Sequence, residues 1–248
     1  MNSQNKAERM AAMSKSERFN INKERRYLLL NFLADGEYWT TAENVRLLFG
    51  VHHLSYVRRF LDTLIEDQLL AKKSYSFGAT PRNFYSITEK GLIFIDSFEN
   101  RKITKHSHQT MWHNELVQRL KLIAMSVKGD GLQWLTDIQL QRSEEAYSTY
   151  PDALYDNKIA IELQRNIYSF DGFVSKVAKC LKDIYSNRFS KVLYVCVDNC
   201  KPTQLQGLFN KIQKVKYSRG EDVFLSEEHR QKFCFIDFNK FEEYIKNE

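Results

Sequence analysis

The 248-residue chain has little that would staple or interrupt it: three prolines, nine glycines and four cysteines. So few chain breakers exclude a collagen-like or Pro/Gly-rich low-complexity chain and predict regular elements joined by short connections. Cys180, Cys196, Cys200 and Cys234 lack zinc-finger spacing, which argues against a metal knot and for reduced thiols. No apolar run approaches the length that spans a bilayer, and the N-terminus lacks the apolar stretch of a secretory signal. The expectation is a cytoplasmic protein with no membrane insertion. Nor does one sign of charge dominate, since the net charge is +6. The distribution says more: residues 1–106 hold 17 Lys and Arg against 12 Asp and Glu, and residues 107–248 hold 20 against 19. A basic module followed by a near-neutral one carrying acidic site residues suits a polyanionic partner.

What is present, 43% hydrophobic and 13% aromatic residues, suffices for two domains with their own cores. Residues 1–21 read as a flexible or loosely helical arm. From about Lys23 the pattern Tyr27, Leu28, Leu30, Phe32, Leu33 predicts a helix ending at Asp35-Gly36. Thr40 or Thr41 caps a second helix with Val45, Leu47, Leu48 and Phe49 as its apolar stripe. A third, opened by His53 or Ser55, buries Val57, Phe60, Leu61, Leu64, Ile65 and Leu69 and leaves Arg58 and Arg59 free. Strand-like stretches 70–77 and 83–88 flank a loop over 78–82, and a helix is expected over 89–98. The polar, basic run 99–107 marks a domain boundary. Beyond it we expect a helix over 109–126, a strand over 132–141, a helix over 170–186, a buried strand at 192–197, a helix from Pro202 to about Val215, a strand at 232–238 and a short helix at 241–245.

The chemistry concentrates in residues 150–164, which read as two short strands about a turn at Asp156-Asn157. In the second strand Ile159, Ile161 and Leu163 alternate with Ala160, Glu162 and Gln164, so Glu162 and Gln164 share a face. A carboxylate within an apolar strand is costly unless compensated, and Asp152 approaches it across the hairpin. Two carboxylates so placed favour Mg2+ or Mn2+, hard cations that bridge to phosphate oxygens. Taken singly, Asp152 also reads as a turn carboxylate, and Glu162 as an edge-strand residue paired with Lys158 or Arg165. His106, His108 and His113 admit metal binding, DNA contact or a plain helix start. Tyr150, Tyr155 and Tyr168 are alternatives to water as nucleophile.

The element order implies an α/β (α+β) fold. Three helices and a hairpin, closing on Tyr85-Ser86-Ile87-Thr88-Glu89-Lys90-Gly91, resemble a winged helix-turn-helix over residues 22–100. That resemblance assigns base or phosphate contacts to His53, Ser55, Tyr56, Arg58 and Arg59, and backbone contacts to Lys72, Lys73 and Arg82 on the wing. Residues 107–248, with Pro151-Asp152 on one strand and Glu162-Leu163-Gln164 on the next, resemble the restriction-endonuclease-like PD-(D/E)XK nucleases. The resemblance implies a metal held by Asp152, Glu162, the Leu163 carbonyl and Glu115 of the preceding helix. Gln164 stands where that family usually carries lysine, so the cationic role passes to Lys176 or Lys179 on the following helix, Lys176 being preferred, while Gln164 orients the water. The whole chain, with Lys105-His106-Ser107-His108 and Trp112-His113-Asn114-Glu115 between its modules, resembles the MobC-type plasmid mobilisation relaxases, relatives of replication-relaxation proteins. This implies a nickase acting on double-stranded plasmid DNA at an origin of transfer in a bacterial cytoplasm, with an accessory mobilisation protein and a type IV coupling protein. A non-catalytic DNA-binding replication or transcription regulator is the alternative.

Overall fold

In the computed structural model, residues 14–37, 39–77, 80–97, 108–218 and 221–248 are described. The chain divides into two compact units, Met1–Lys105 and His106–Glu248, and it is mixed α/β. No helix among the described residues is long and apolar enough to cross a membrane.

The first unit opens with α1 (Lys15–Ala34). It starts eight residues before the expected Lys23, because Ser14 and Glu17 form a reciprocal capping box that satisfies the first free amides. Residues 15–21, expected as part of a flexible or loosely helical arm, are therefore regular helix, and residues 1–13 lie outside the described part. Next comes β1 (Trp39–Thr41), a strand that three residues carry too little pattern to announce. Thr41 caps α2 (Ala42–Leu48) through Asn44 N. Leu47, expected in the apolar stripe of α2, is exposed. The next helix, α3 (Leu54–Glu66), takes His53 as N-cap. Strands β2 (Leu70–Phe77) and β3 (Thr80–Ile87) pair antiparallel, and β1 adds to the far side of β3. Pro81 and Arg82, expected in the loop, are strand residues opposite Ser76 and Tyr75. The unit continues with α4 (Glu89–Phe94), shorter than the expected 89–98. Leu29, Leu30 and Leu33 of α1 meet Val45, Val57, Leu61, Leu64, Tyr85 and Ile87 in one core.

The second unit is a five-stranded sheet between helices. Its elements are α5 (His108–Lys128), β4 (Trp134–Thr136), α6 (Asp137–Arg142), β5 (Ala153–Tyr155), β6 (Ile159–Gln164) and α7 (Phe170–Tyr185). Then follow β7 (Lys191–Cys196), α8 (Pro202–Asn210), β8 (Lys214–Ser218), β9 (Glu221–Phe224), α9 (Glu227–Gln231), β10 (Phe233–Asp237) and α10 (Phe241–Asn247). The strand order is β10-β7-β6-β5-β4, parallel among β10, β7 and β6 and antiparallel among β6, β5 and β4. The expected strand 132–141 is cut at Thr136, where a Thr136/Gln139 capping box turns the chain into α6. The helix from Pro202 stops at Asn210, and the lysine-rich segment after it pairs as β8 with β9 in a separate two-stranded sheet.

Period-two alternation assigns each face of the sheet to its helices. Ala160, Val192, Tyr194 and Cys196 pack with Phe173, Val177 and Leu181 of α7 and with α8. Ile159, Ile161, Leu163, Leu193 and Val195 pack with Leu116, Leu120 and Ala124 of α5 and with α10. Strand β7 lies between two parallel neighbours, and Val192–Cys196 are fully enclosed, as a continuous apolar run requires.

Candidate active site

The turn between β5 and β6 places Asp156 and Asn157 at positive φ, 49° and 53°, with Lys158 N donating to Tyr155 O at 3.0 Å. Asp and Asn tolerate this conformation better than other non-glycine residues. The resulting register pairs Ala153 with Ile161. It leaves Asp152 just before β5, where its Oδ2 accepts the Leu163 amide at 2.7 Å. The acid is thereby fixed against the strand that bears Glu162.

Glu162 points to the α7 side of the sheet and is 5% exposed. Lys176, from the second turn of α7, brings Nζ to 2.7 Å from Glu162 Oε1 and donates to Thr149 Oγ1 at 3.0 Å. The ion pair lies off hydrogen-bond geometry, so the enclosed Oε1 accepts no hydrogen bond. Burial, then the negative charge of Asp152, push the Glu162 carboxyl up to about 7 against the opposing pull of Lys176 and His113. Burial works against the Lys176 cation, but Glu162 outweighs it and holds Lys176 above its ordinary value. Lys179, the alternative, lines a groove beside α7 instead. The loop before β5 is latched from below: Asp183 of α7, 2% exposed, accepts Ser148 N at 2.7 Å and Thr149 N at 3.1 Å.

From α5 it is His113, rather than Glu115, that joins this group. His113 Nε2 stands 2.9 Å from Asp152 Oδ1. Burial draws His113 down, yet the hydrogen bond and charge of Asp152 leave it raised overall. Glu115 is buried one half-turn away and pairs with Arg119 at 3.2 Å. Among the described residues no three His, Cys, Asp or Glu side chains gather closely enough to share a metal. His106 lies outside the described residues, and His108 opens α5. Gln164, 9% exposed, donates through Nε2 to the Asn166 carbonyl, which directs its amide to the strand end. At the rim, Arg165 pairs with Asp198 at 2.8 Å and lies over the Trp112 ring at 5.7 Å, and Trp112 Nε1 donates to Asp198 Oδ2.

No family model, curated protein or solved structure matches this chain. Its chemistry is read from its own residues.

The donor type fits a hard divalent cation: Asp152, just before β5, and the buried Glu162 on β6 bring two carboxylates into electrostatic contact, with Lys176 Nζ 2.7 Å from Glu162 Oε1. Of the tyrosines, Tyr155 is enclosed, Tyr150 is exposed beside Tyr147, and Tyr168 stacks on Phe173 at 5.6 Å. Burial and then the charge of Glu162 hold the Tyr168 hydroxyl well above its ordinary range, which opposes its acting as a nucleophile. No local pattern announces Asp183, Thr149 or the Trp112–Arg165–Asp198 cluster, because each acts across 27 or more residues.

In the first unit Ser55, Arg58 and Arg59 are exposed on α3, His53 is exposed at its N-cap, and Lys72 and Lys73 are exposed on β2. Lys73 Nζ lies 5.1 Å from the Tyr75 ring. Tyr56, expected at the ligand, is engaged within the unit: Arg25 Nη1 donates to its hydroxyl at 2.8 Å, and that hydroxyl donates to Asn22 Oδ1. Arg25 also lies over the Tyr56 and Phe49 rings. Tyr56 thus ties α1 to α3.

Proposed function

We propose that the protein is a metal-dependent DNA nickase of the relaxase type: a winged-helix unit locates an origin of transfer and a PD-(D/E)XK-like unit cleaves one strand there. The observation that carries the reading is the convergence of Asp152 from just before β5, Glu162 from β6 and Lys176 from α7, with Asp152 anchored on the Leu163 amide. Asp152, Glu162 and the Leu163 carbonyl would hold Mg2+ or Mn2+. Such an ion supplies an acidified water and charge neutralisation at the scissile phosphate. Lys176 sits beside Glu162 rather than on its strand, which answers the lysine-to-glutamine exchange at position 164 and supplies a cation for the leaving oxygen. His113 holds Asp152 in orientation and adds positive charge at low pH. Arg58, Arg59, Lys72, Lys73 and Arg82 would meet phosphates, and His53 and Ser55 base edges.

The second reading is a DNA-binding replication or transcription regulator without catalysis. The 2.7 Å Lys176–Glu162 pair favours it, since a neutralised glutamate is a weaker cation ligand. Incubating supercoiled plasmid bearing the cognate origin with Mg2+ or Mn2+ separates the two. Origin-dependent open circles that vanish with EDTA and with Glu162→Ala support the nickase. Specific binding with no nick in the presence of the accessory protein supports the regulator. Protease treatment of nicked product distinguishes a free end from a tyrosine-linked one.

A further inference from the structure

Strand β8 was unexpected in the sequence, and it builds a second basic surface. Between the outer face of α7 and the β8–β9 pair lies a cavity of about 660 Å³. Lys179 and Lys182 border it from α7, Lys214 and Lys216 from β8. The spacing is regular on both sides, because residues three apart on a helix and two apart on a strand face the same way. Val215, between the two β8 lysines, is buried, and Val174 and Ala178 complete an apolar floor. Lys214 is neutralised by Asp222 at 2.5 Å. Lys179 and Lys182 have no ion-pair partner among the described residues, Lys216 lies opposite Asp222 across the β8–β9 pair and its charge acts on that carboxylate, and Asp171 is the one other acid on the lining. All four lysines are exposed, and against Asp171 and Asp222 they leave the lining with an excess of positive charge that suits an anion.

We propose that this groove binds the sugar-phosphate backbone of a nucleic-acid strand and leads it to the Asp152–Glu162 pair. Which polyanion it takes rests on the nickase reading; the excess positive charge does not. Ser148 lines the groove, and the next residue, Thr149, accepts the hydrogen bond of Lys176. The groove thus reaches the residue before Thr149, which accepts from Lys176, the partner of Glu162. Among the described residues its lining has no aromatic ring, so they offer no stacking platform. Binding there is indifferent to base identity and relies on the lysines.

The test uses full-length protein in EDTA, where no cleavage is read, and fluorescein-labelled 15-nucleotide oligo(dT) and oligo(dA). Each phosphate contact on a single strand contributes a log–log salt slope of about −0.7. Lys179→Ala/Lys182→Ala/Lys216→Ala is expected to flatten the slope by roughly 2 and to weaken binding by one to two orders of magnitude near 0.1 M salt. The three-arginine variant restores both, and oligo(dT) and oligo(dA) behave alike. Bound oligonucleotide also protects the three amines from acetylation in the wild type, read by mass spectrometry, while exposed Lys240 stays reactive. Unprotected amines, or an unchanged slope in the alanine variant, overturn the proposal. The nicking assay on the same preparations keeps the readings apart: protected lysines without nicking remove the nickase alone, and nicking with unprotected lysines removes the groove alone.

Discussion

Replacing Glu162 with glutamine removes the acid whose ionisation the fold resists. Burial and Asp152 raise this carboxyl from 4.5 to about 7. A raised acid binds its proton more tightly folded than unfolded, so wild-type stability falls as pH rises from about 4.5 to 7 and levels off above that. Between pH 5 and pH 8 the loss is roughly 2 to 3 kcal/mol, from 1.36 kcal/mol per pKa unit. Glu162 is 5% exposed, so solvent screening takes little from that figure. Urea denaturation in EDTA at the two pH values, for wild type and Glu162→Gln, reads the effect as a double difference. Lys176 stays charged at both pH values and His113 titrates in both proteins, so their contributions largely cancel. The wild type should lose that amount and the variant should not. Saturating Mn2+ at pH 8 should return the loss to the wild type only, since a cation bound to the folded state adds stability by mass action. Parallel curves for the two proteins would refute the argument that folding holds Glu162 against burial and the charge of Asp152.

Lys176→Met leaves Glu162 buried without its cation, with side-chain exposures of 17% and 6% in the native pair. It should cost about 3–5 kcal/mol at pH 8 and less at pH 5, read by the same denaturation series. For His113 the raised pKa places its contribution below about pH 6.5, with loss as pH climbs through the folded value. His113→Ala should therefore cost about 1.5–3 kcal/mol at pH 5.5 and measurably less at pH 9; equal costs would show that the His113–Asp152 contact carries no charge. In the first unit, a methyl group on Gly91 would meet the Leu69 carbonyl oxygen and, at 2.8 Å, Ile87 Cγ1. Gly91→Ala should destabilise that unit by about 1–3 kcal/mol in thermal melts and leave the pH dependence tied to Glu162 unchanged.

Local chemistry in the sequence determined much of this protein. The 3.6 and 2.0 periods place α3, β6, α7 and β7, the Asp156-Asn157 pair sets the hairpin, and the alternation in β6 puts Glu162 opposite Ile161, because these depend on neighbours within a few residues. Three short strands escape the sequence for a converse reason: β1, β8 and β9 owe their strand character to partners rather than pattern. The extent of α1 was also local, in Ser14 and Glu17, but the polar composition around them masked the capping box. Only tertiary structure decided which helix residues face the acid pair. On α5 a rotation of two residues exchanges Glu115 for His113, since each step turns the side chain by about 100°, and packing of Leu116 and Leu120 on the sheet fixes that rotation. On α7 the burial of Phe173 and Val177 sends Lys176 to Glu162 and Lys179 to the groove. Charge placement at the site thus follows from how each helix seats its apolar stripe, a choice that no single segment contains.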